Sequence, residues 1–136
     1  MHNRQVMVMH NEKIVADMAR VSLEQEGYRV VAFLNAEHAL QRLRAERFDV
    51  LITDHAEGME LLRTVKDSCP ATKIITLSSS ASSDAGLDAV LLDIHDSFRM
   101  PVRLRDLKAS IRRAFQRPLE VTERQLAPEL EAVAAS

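Results

Sequence analysis

Phe48-Asp49-Val50-Leu51-Ile52-Thr53-Asp54 places Val50, Leu51, Ile52 and Thr53 in unbroken succession and ends them on a carboxylate. An apolar run this short, rich in β-branched residues, reads as a strand covered on both faces, as in a parallel sheet between helices. The residues on either side repeat that theme. Val6-Met7-Val8-Met9, Tyr28-Arg29-Val30-Val31-Ala32-Phe33 and Lys73-Ile74-Ile75-Thr76-Leu77 are three further compact runs, and Ser97-Phe98-Arg99-Met100 is a shorter fifth, closed by Pro101.

Helix-period segments alternate with these runs. Ile14, Met18, Val21 and Gln25 trace one side of a first helix, widened by Val15, Ala19 and Leu23. Gly27 stands where a helix end wants a left-handed residue, and Asn35 is placed to cap a second helix carrying Ala39, Leu40 and Leu43. Met59, Leu62, Val65 and Lys66 mark a third helix, stopped at Cys69-Pro70. Leu87, Val90, Leu91 and Ile94 mark a fourth, after the serine-rich loop 78–83, and Leu104, Leu107, Ile111 and Phe115 a fifth. Strands that alternate with helices imply right-handed crossovers and a doubly wound parallel sheet. Residues 1–117 form this domain, and 118–136, with Pro118, Pro128 and an Ala/Glu-rich composition, read as a tail, flexible or briefly helical.

Composition agrees with a single globular domain of 136 residues, 46% hydrophobic and 28% charged. A net charge of −2 disfavours a polyanion binder working by bulk charge. The lone Cys69 excludes an internal disulfide and fits a loop thiol in a reducing cytosol. No stretch approaches the roughly 20 apolar residues of a membrane span, and no signal peptide is visible, so a cytoplasmic protein is expected.

In an open parallel sheet, reactive groups collect beyond the carboxyl ends of the strands. Those ends carry His10-Asn11-Glu12, Asp54, Ser78-Ser79 and Met100-Pro101. With these residues in place the chain resembles the receiver domain of two-component response regulators over roughly residues 4–117. Glu24-Gln25-Glu26-Gly27-Tyr28-Arg29-Val30 is similar to the family's passage from helix one to strand two. Asn35-Ala36-Glu37-His38-Ala39-Leu40 is similar to its "NGEEAL" segment, and the strand ending at Asp54 to the one that carries the phospho-acceptor. The interval from Ser78 to Met100 matches that between the family's Thr/Ser and its Lys-Pro. The resemblance implies a flavodoxin-like α/β fold of the chemotaxis-regulator (CheY-like) type, with strand order 2-1-3-4-5 and five flanking helices. It makes Asp54 the phospho-acceptor candidate and Ser78 and Ser79 the phosphate-site candidates.

Departures from the pattern cluster at one site. The acidic pair that would hold Mg²⁺ reads His10-Asn11, with Glu12 adjacent. Neutral His and Asn bring no negative charge to a cation that demands oxygen ligands in a strict octahedron. The lysine position reads Met100, and the switch aromatic aligns with Ser97, with Phe98 one place later. The loop after Asp54 reads His55-Ala56-Glu57-Gly58 in place of a Met-Pro turn. Phosphoryl transfer depends on positioning and electrostatics. An impaired or absent phosphorylation switch is therefore expected. No cofactor and no metal are expected, beyond weak Mg²⁺ at Asp54 and Glu12. His10 and His55 near Asp54 would suit a softer divalent ion; local hydrogen bonding is the reading preferred for them.

Charge is unevenly spread. Asp84, Asp88 and Asp93 lie on the fourth expected helix, and Arg99, Arg103, Lys108 and Arg112 follow on the fifth strand and helix. Acid beside base reads either as two solvated faces or as an interaction surface, a homodimer through helix 4, strand 5 and helix 5 or an acidic partner on helix 5. The expected function is that of a stand-alone, atypical receiver without enzymatic activity, signalling by protein–protein contact. The resemblance implies a histidine kinase or a downstream effector as partner; neither nucleic acid nor membrane is expected. The alternatives are a functional phospho-acceptor at Asp54 with a modified cation site and, more remotely, a small phosphatase.

Overall fold

Val6 and Val8 pack on one face of the central sheet and Met7 and Met9 on the other, all four without solvent exposure. The same alternation continues in the neighbouring strands. Val50, Ile52, Ile75 and Leu77 join the first face, and Leu51 and Ile74 the second. A strand apolar on both sides must be covered on both sides, and helices do this here.

The computed structural model describes residues 4–54, 59–78 and 94–116. Within them the elements are β1 (Gln5–Met9), α1 (Lys13–Gln25), β2 (Arg29–Phe33), α2 (Ala36–Ala45) and β3 (Val50–Asp54). There follow α3 (Met59–Ser68), β4 (Lys73–Ser78), β5 (Asp96–Arg99) and α4 (Leu104–Ala114). All strand pairs are parallel and the order is β2-β1-β3-β4-β5, as expected. The fourth expected helix, through Leu87, Val90 and Leu91, lies outside the described residues, so the helix over Leu104–Ala114 is α4 here.

α1 and α4 cover one face: Ala16, Ala19, Leu23, Leu107, Ile111 and Ala114 pack with Val6, Val8, Ile52 and Leu77. α2 and α3 cover the other: Ala39, Leu43, Leu61, Leu62 and Val65 pack with Met7, Met9 and Phe48. Complete burial of one such side chain stabilises the fold by about 1.5–3 kcal/mol.

Local signals set the helix ends. Gly27 adopts φ +96°, and its N–H donates to Glu24 while the Tyr28 N–H donates to Leu23, which closes α1 in a Schellman motif. The Asn35 side chain accepts from the His38 N–H at 2.9 Å and starts α2.

Three expectations need correction. Ile14, Met18 and Val21 on α1 are exposed (73%, 51% and 43%), whereas Ala19 and Leu23, expected to widen their stripe, are buried, together with Ala16 and Ser22. Small residues let the helix backbone lie close to the sheet, and that contact chooses the face. The strand at Phe48 begins only at Val50: the Asp49 carboxylate accepts the Gln5 N–H at 2.9 Å and ties off the start of β1. Likewise β5 starts at Asp96 and ends before Met100.

Candidate functional site

The carboxyl ends of β1, β3, β4 and β5 bring the expected residues into one region. Met9 pairs in register with Thr53, so His10 and Asp54 each stand one step beyond a paired position on neighbouring strands. Ser78 pairs with Arg99, and the Met100 N–H donates to the Ser78 carbonyl at 2.8 Å. His10, Asp54 and Ser78 are buried, at 3%, 6% and 3% exposure. Asn11 and Glu12 are exposed. Ser79 and His55 lie outside the described residues.

Two of the buried groups have local commitments. His10 Nδ1 accepts the Glu12 N–H at 3.1 Å, which leaves the ring proton on Nε2 and removes Nδ1 as a metal donor. The Ser78 hydroxyl makes a long contact to the Phe98 carbonyl at 3.4 Å. Met100 packs against the α1–α4 core and lines a small apolar groove with Val15, Met18, Val102, Leu104 and Leu107. No ion pair reaches Asp54 among the described residues. Nor, among them, do three or more His, Cys, Asp or Glu side chains cluster as a metal site. The acidic side chains at these strand ends are Asp54, which is buried, and Glu12, which is exposed.

Thr76 pairs with Ser97, and Thr76 Oγ1 donates to Ser97 Oγ at 2.8 Å. Phe98 turns to the opposite face and packs in the α1–α4 core.

Of the charged surface, Arg99, Arg103 and Arg112 are exposed and have no ion pair among the described residues. Lys108 lies 3.9 Å from Glu26 at the end of α1 and is thus held toward α1. Asp84, Asp88 and Asp93 lie outside the described residues. One network escapes sequence reasoning altogether. Asp96 accepts from Ser110 Oγ at 2.7 Å, from Arg113 at 3.1 Å and from the Ser97 N–H at 3.0 Å, while His95 Nε2 donates to the Ser110 carbonyl at 2.9 Å. It pins β5 to α4, and no periodicity signals it.

No described helix is long and apolar enough to cross a membrane. The transcriptional regulatory protein CrdR of Helicobacter pylori is 26% identical to this chain over 124 residues, 87% of the chain. The chain spans 58% of the length of that curated relative. A response regulator from Thermotoga maritima is 28% identical, with a TM-score of 0.75 over 83% of this chain and 98% of that one. A CheY-like receiver domain protein from Methanospirillum hungatei JF-1 shares the fold at 24% identity, with a TM-score of 0.76 over 82% and 93% of the two chains. The model of the response regulator receiver domain matches residues 6–112. With the 2-1-3-4-5 sheet and an aspartate at the carboxyl end of its central strand, the chain belongs to the response regulator receiver domain family of two-component signalling.

Proposed function

We propose that this receiver is an atypical one, in which Mg²⁺-dependent phosphorylation of Asp54 is impaired and the signal passes by protein–protein contact. One observation carries the reading: no cation pairs with Asp54 among the described residues, and Met100, at the lysine position, packs partly buried against the α1–α4 core. A phosphoryl group arriving at Asp54 meets neither the fixed positive charge nor the acidic pair that would recruit Mg²⁺. Those are the terms on which such transfers depend. The contact surface is the basic one on β5 and α4, with Arg99, Arg103 and Arg112 open to an acidic protein partner. A kinase or a downstream effector is the partner class, and the domain does no enzymatic work of its own. Mg²⁺ binds weakly, through Asp54 and Glu12.

Burial of Asp54 beside Ser78, on the neighbouring strand, favours a second reading, a phospho-acceptor with a modified cation site. One experiment separates the two: incubation with Mg²⁺ and acetyl phosphate, followed by intact mass. The first reading expects no phosphate adduct. An adduct that disappears in Asp54→Asn overturns it in favour of the second.

A further inference from the structure

The exposed face of α1 carries two parallel rows. The first is Ile14, Met18, Val21 and Gln25, separated by four, three and four residues, which is the spacing of a coiled-coil seam. Three large apolar side chains stand in solvent along this one helix, at 73%, 51% and 43% exposure. The second row lies one residue earlier at each step: Lys13, Asp17, Arg20 and Glu24. Its charges alternate in sign, and within one chain they close as Lys13–Asp17 at 2.6 Å and Arg20–Glu24 at 3.0 Å. On its other side the seam runs into the apolar groove lined by Val15, Met18, Met100, Val102 and Leu104.

A plus-minus-plus-minus row is complementary to its own reverse. Two copies of α1 laid antiparallel about a twofold axis between Met18 and Ala19 set Lys13 opposite Glu24 of the second copy and Asp17 opposite its Arg20. The symmetry then repeats both pairs. In the same register the apolar side chains interdigitate, with Val21 of the second copy between Ile14 and Met18. In a twofold dimer of antiparallel helices each flank meets its own copy, so the charged rows face each other and so do the two grooves. We infer that the exposed face of α1 is a self-association surface whose occupant is a second copy of this chain, aligned antiparallel by the Lys13-Asp17-Arg20-Glu24 row. This goes beyond the proposed function. It puts self-association on α1 and leaves Arg99, Arg103 and Arg112 for a different, acidic partner.

Sedimentation equilibrium across a concentration series of the full chain tests it. Wild type should show a monomer–dimer equilibrium. Ile14→Glu changes a side chain that stands in solvent, so the fold is kept, and it should give monomer throughout. Asp17→Arg sets like charges opposite one another at two symmetric places and should weaken dimerisation about tenfold or more. The double variant Asp17→Arg/Arg20→Asp keeps opposite charges across the axis while spoiling both pairs within the helix. It should recover most of the lost affinity, which a purely intrachain role for these residues would not produce. A wild type that stays monomeric, a dimer indifferent to Ile14→Glu, or a double variant weaker than the single one overturns the proposal. So does a dimer that is lost in Arg112→Glu but kept in Ile14→Glu.

Discussion

Ser110 Oγ donates to Asp96 Oδ2 at 2.7 Å, joining the fully buried middle of α4 to the first residue of β5. β5 is an edge strand of four residues, held by the sheet on one side only. The carboxylate of Asp96 also takes Arg113 and the Ser97 N–H, and its position therefore sets that of the strand on the helix. Removing the hydroxyl should cost about 1–2 kcal/mol, because a buried donor to a charged acceptor is lost. Arg113 is 55% exposed, and its removal should cost under about 1 kcal/mol. Urea unfolding of Ser110→Ala and Arg113→Ala measures both, and an Arg113→Ala loss exceeding that of Ser110→Ala contradicts this ranking.

Two helix ends offer a second check. Gly27 holds φ +96° with nothing within 4 Å of an added Cβ, so Gly27→Ala meets no clash and isolates the backbone cost. That cost is about 1–2 kcal/mol for a side chain in the left-handed region. Asn35→Ala removes the acceptor of the His38 N–H and should cost about 1 kcal/mol. The sites lie at opposite ends of β2, on different helices, and the double variant should lose close to the sum of the two.

These ends were legible because their causes are local. A glycine after a helical run and an asparagine before one act within four residues. The convergence of His10, Asp54, Ser78 and Met100 was legible because alternating strands and helices put the strand carboxyl ends on one side of a parallel sheet, while the strand order came from the family resemblance. The face of α1 was legible only in part, through Ala19 and Leu23. Both Ile14-Met18-Val21 and Ala16-Ala19-Leu23 recur at helical spacing, and hydrophobicity alone selects the bulkier set. Contact with the sheet selects the smaller one, which admits close approach. The fate of Asp96 was hidden for another reason. Its partners Ser110 and Arg113 lie 14 and 17 residues along the chain, on a different element, and the run of acidic residues before it suggested an open surface. The hydrogen bond from Glu12 to His10 was equally unannounced, since any polar side chain at a strand end has several candidate partners.

Acid should expose one surface contact. Arg42 donates to Glu46 at 2.8 Å at the end of α2, and Arg29 lies 4.0 Å away. The Arg42 hydrogen bond, ahead of the charges of Arg42 and Arg29, holds the Glu46 carboxyl below the usual glutamate range. Its folded value thus lies below its unfolded one. The stabilisation it lends is complete above the unfolded value and fades as pH falls through the folded one. A carboxylate-detected NMR titration should give Glu46 a midpoint lower than that of an exposed glutamate, and Arg42→Ala should move the midpoint up. An unchanged midpoint in Arg42→Ala removes this account.

If missing charge is what impairs Asp54, restoring it should restore phosphorylation. His10→Asp and Asn11→Asp return carboxylates to the end of β1, beside Asp54, and Met100→Lys returns a cation after β5. Met100 is only partly buried, so the lysine stem can keep the apolar contacts of the groove while its ammonium reaches the crevice. Replacing His10 also frees the Glu12 N–H that its ring now accepts, and a carboxylate at the same position can accept it in turn. The triple variant should take phosphate from acetyl phosphate in the presence of Mg²⁺ at least about tenfold faster than wild type, a modest share of what electrostatic preorganisation supplies in such sites. Adduct formation should vanish on adding Asp54→Asn and on chelating Mg²⁺. Met100→Lys alone should gain little, because one cation without Mg²⁺ leaves most of the phosphoryl charge unbalanced. A triple variant that folds, binds Mg²⁺ and still takes no phosphate would place the block elsewhere than in these three residues, and would sink the charge argument.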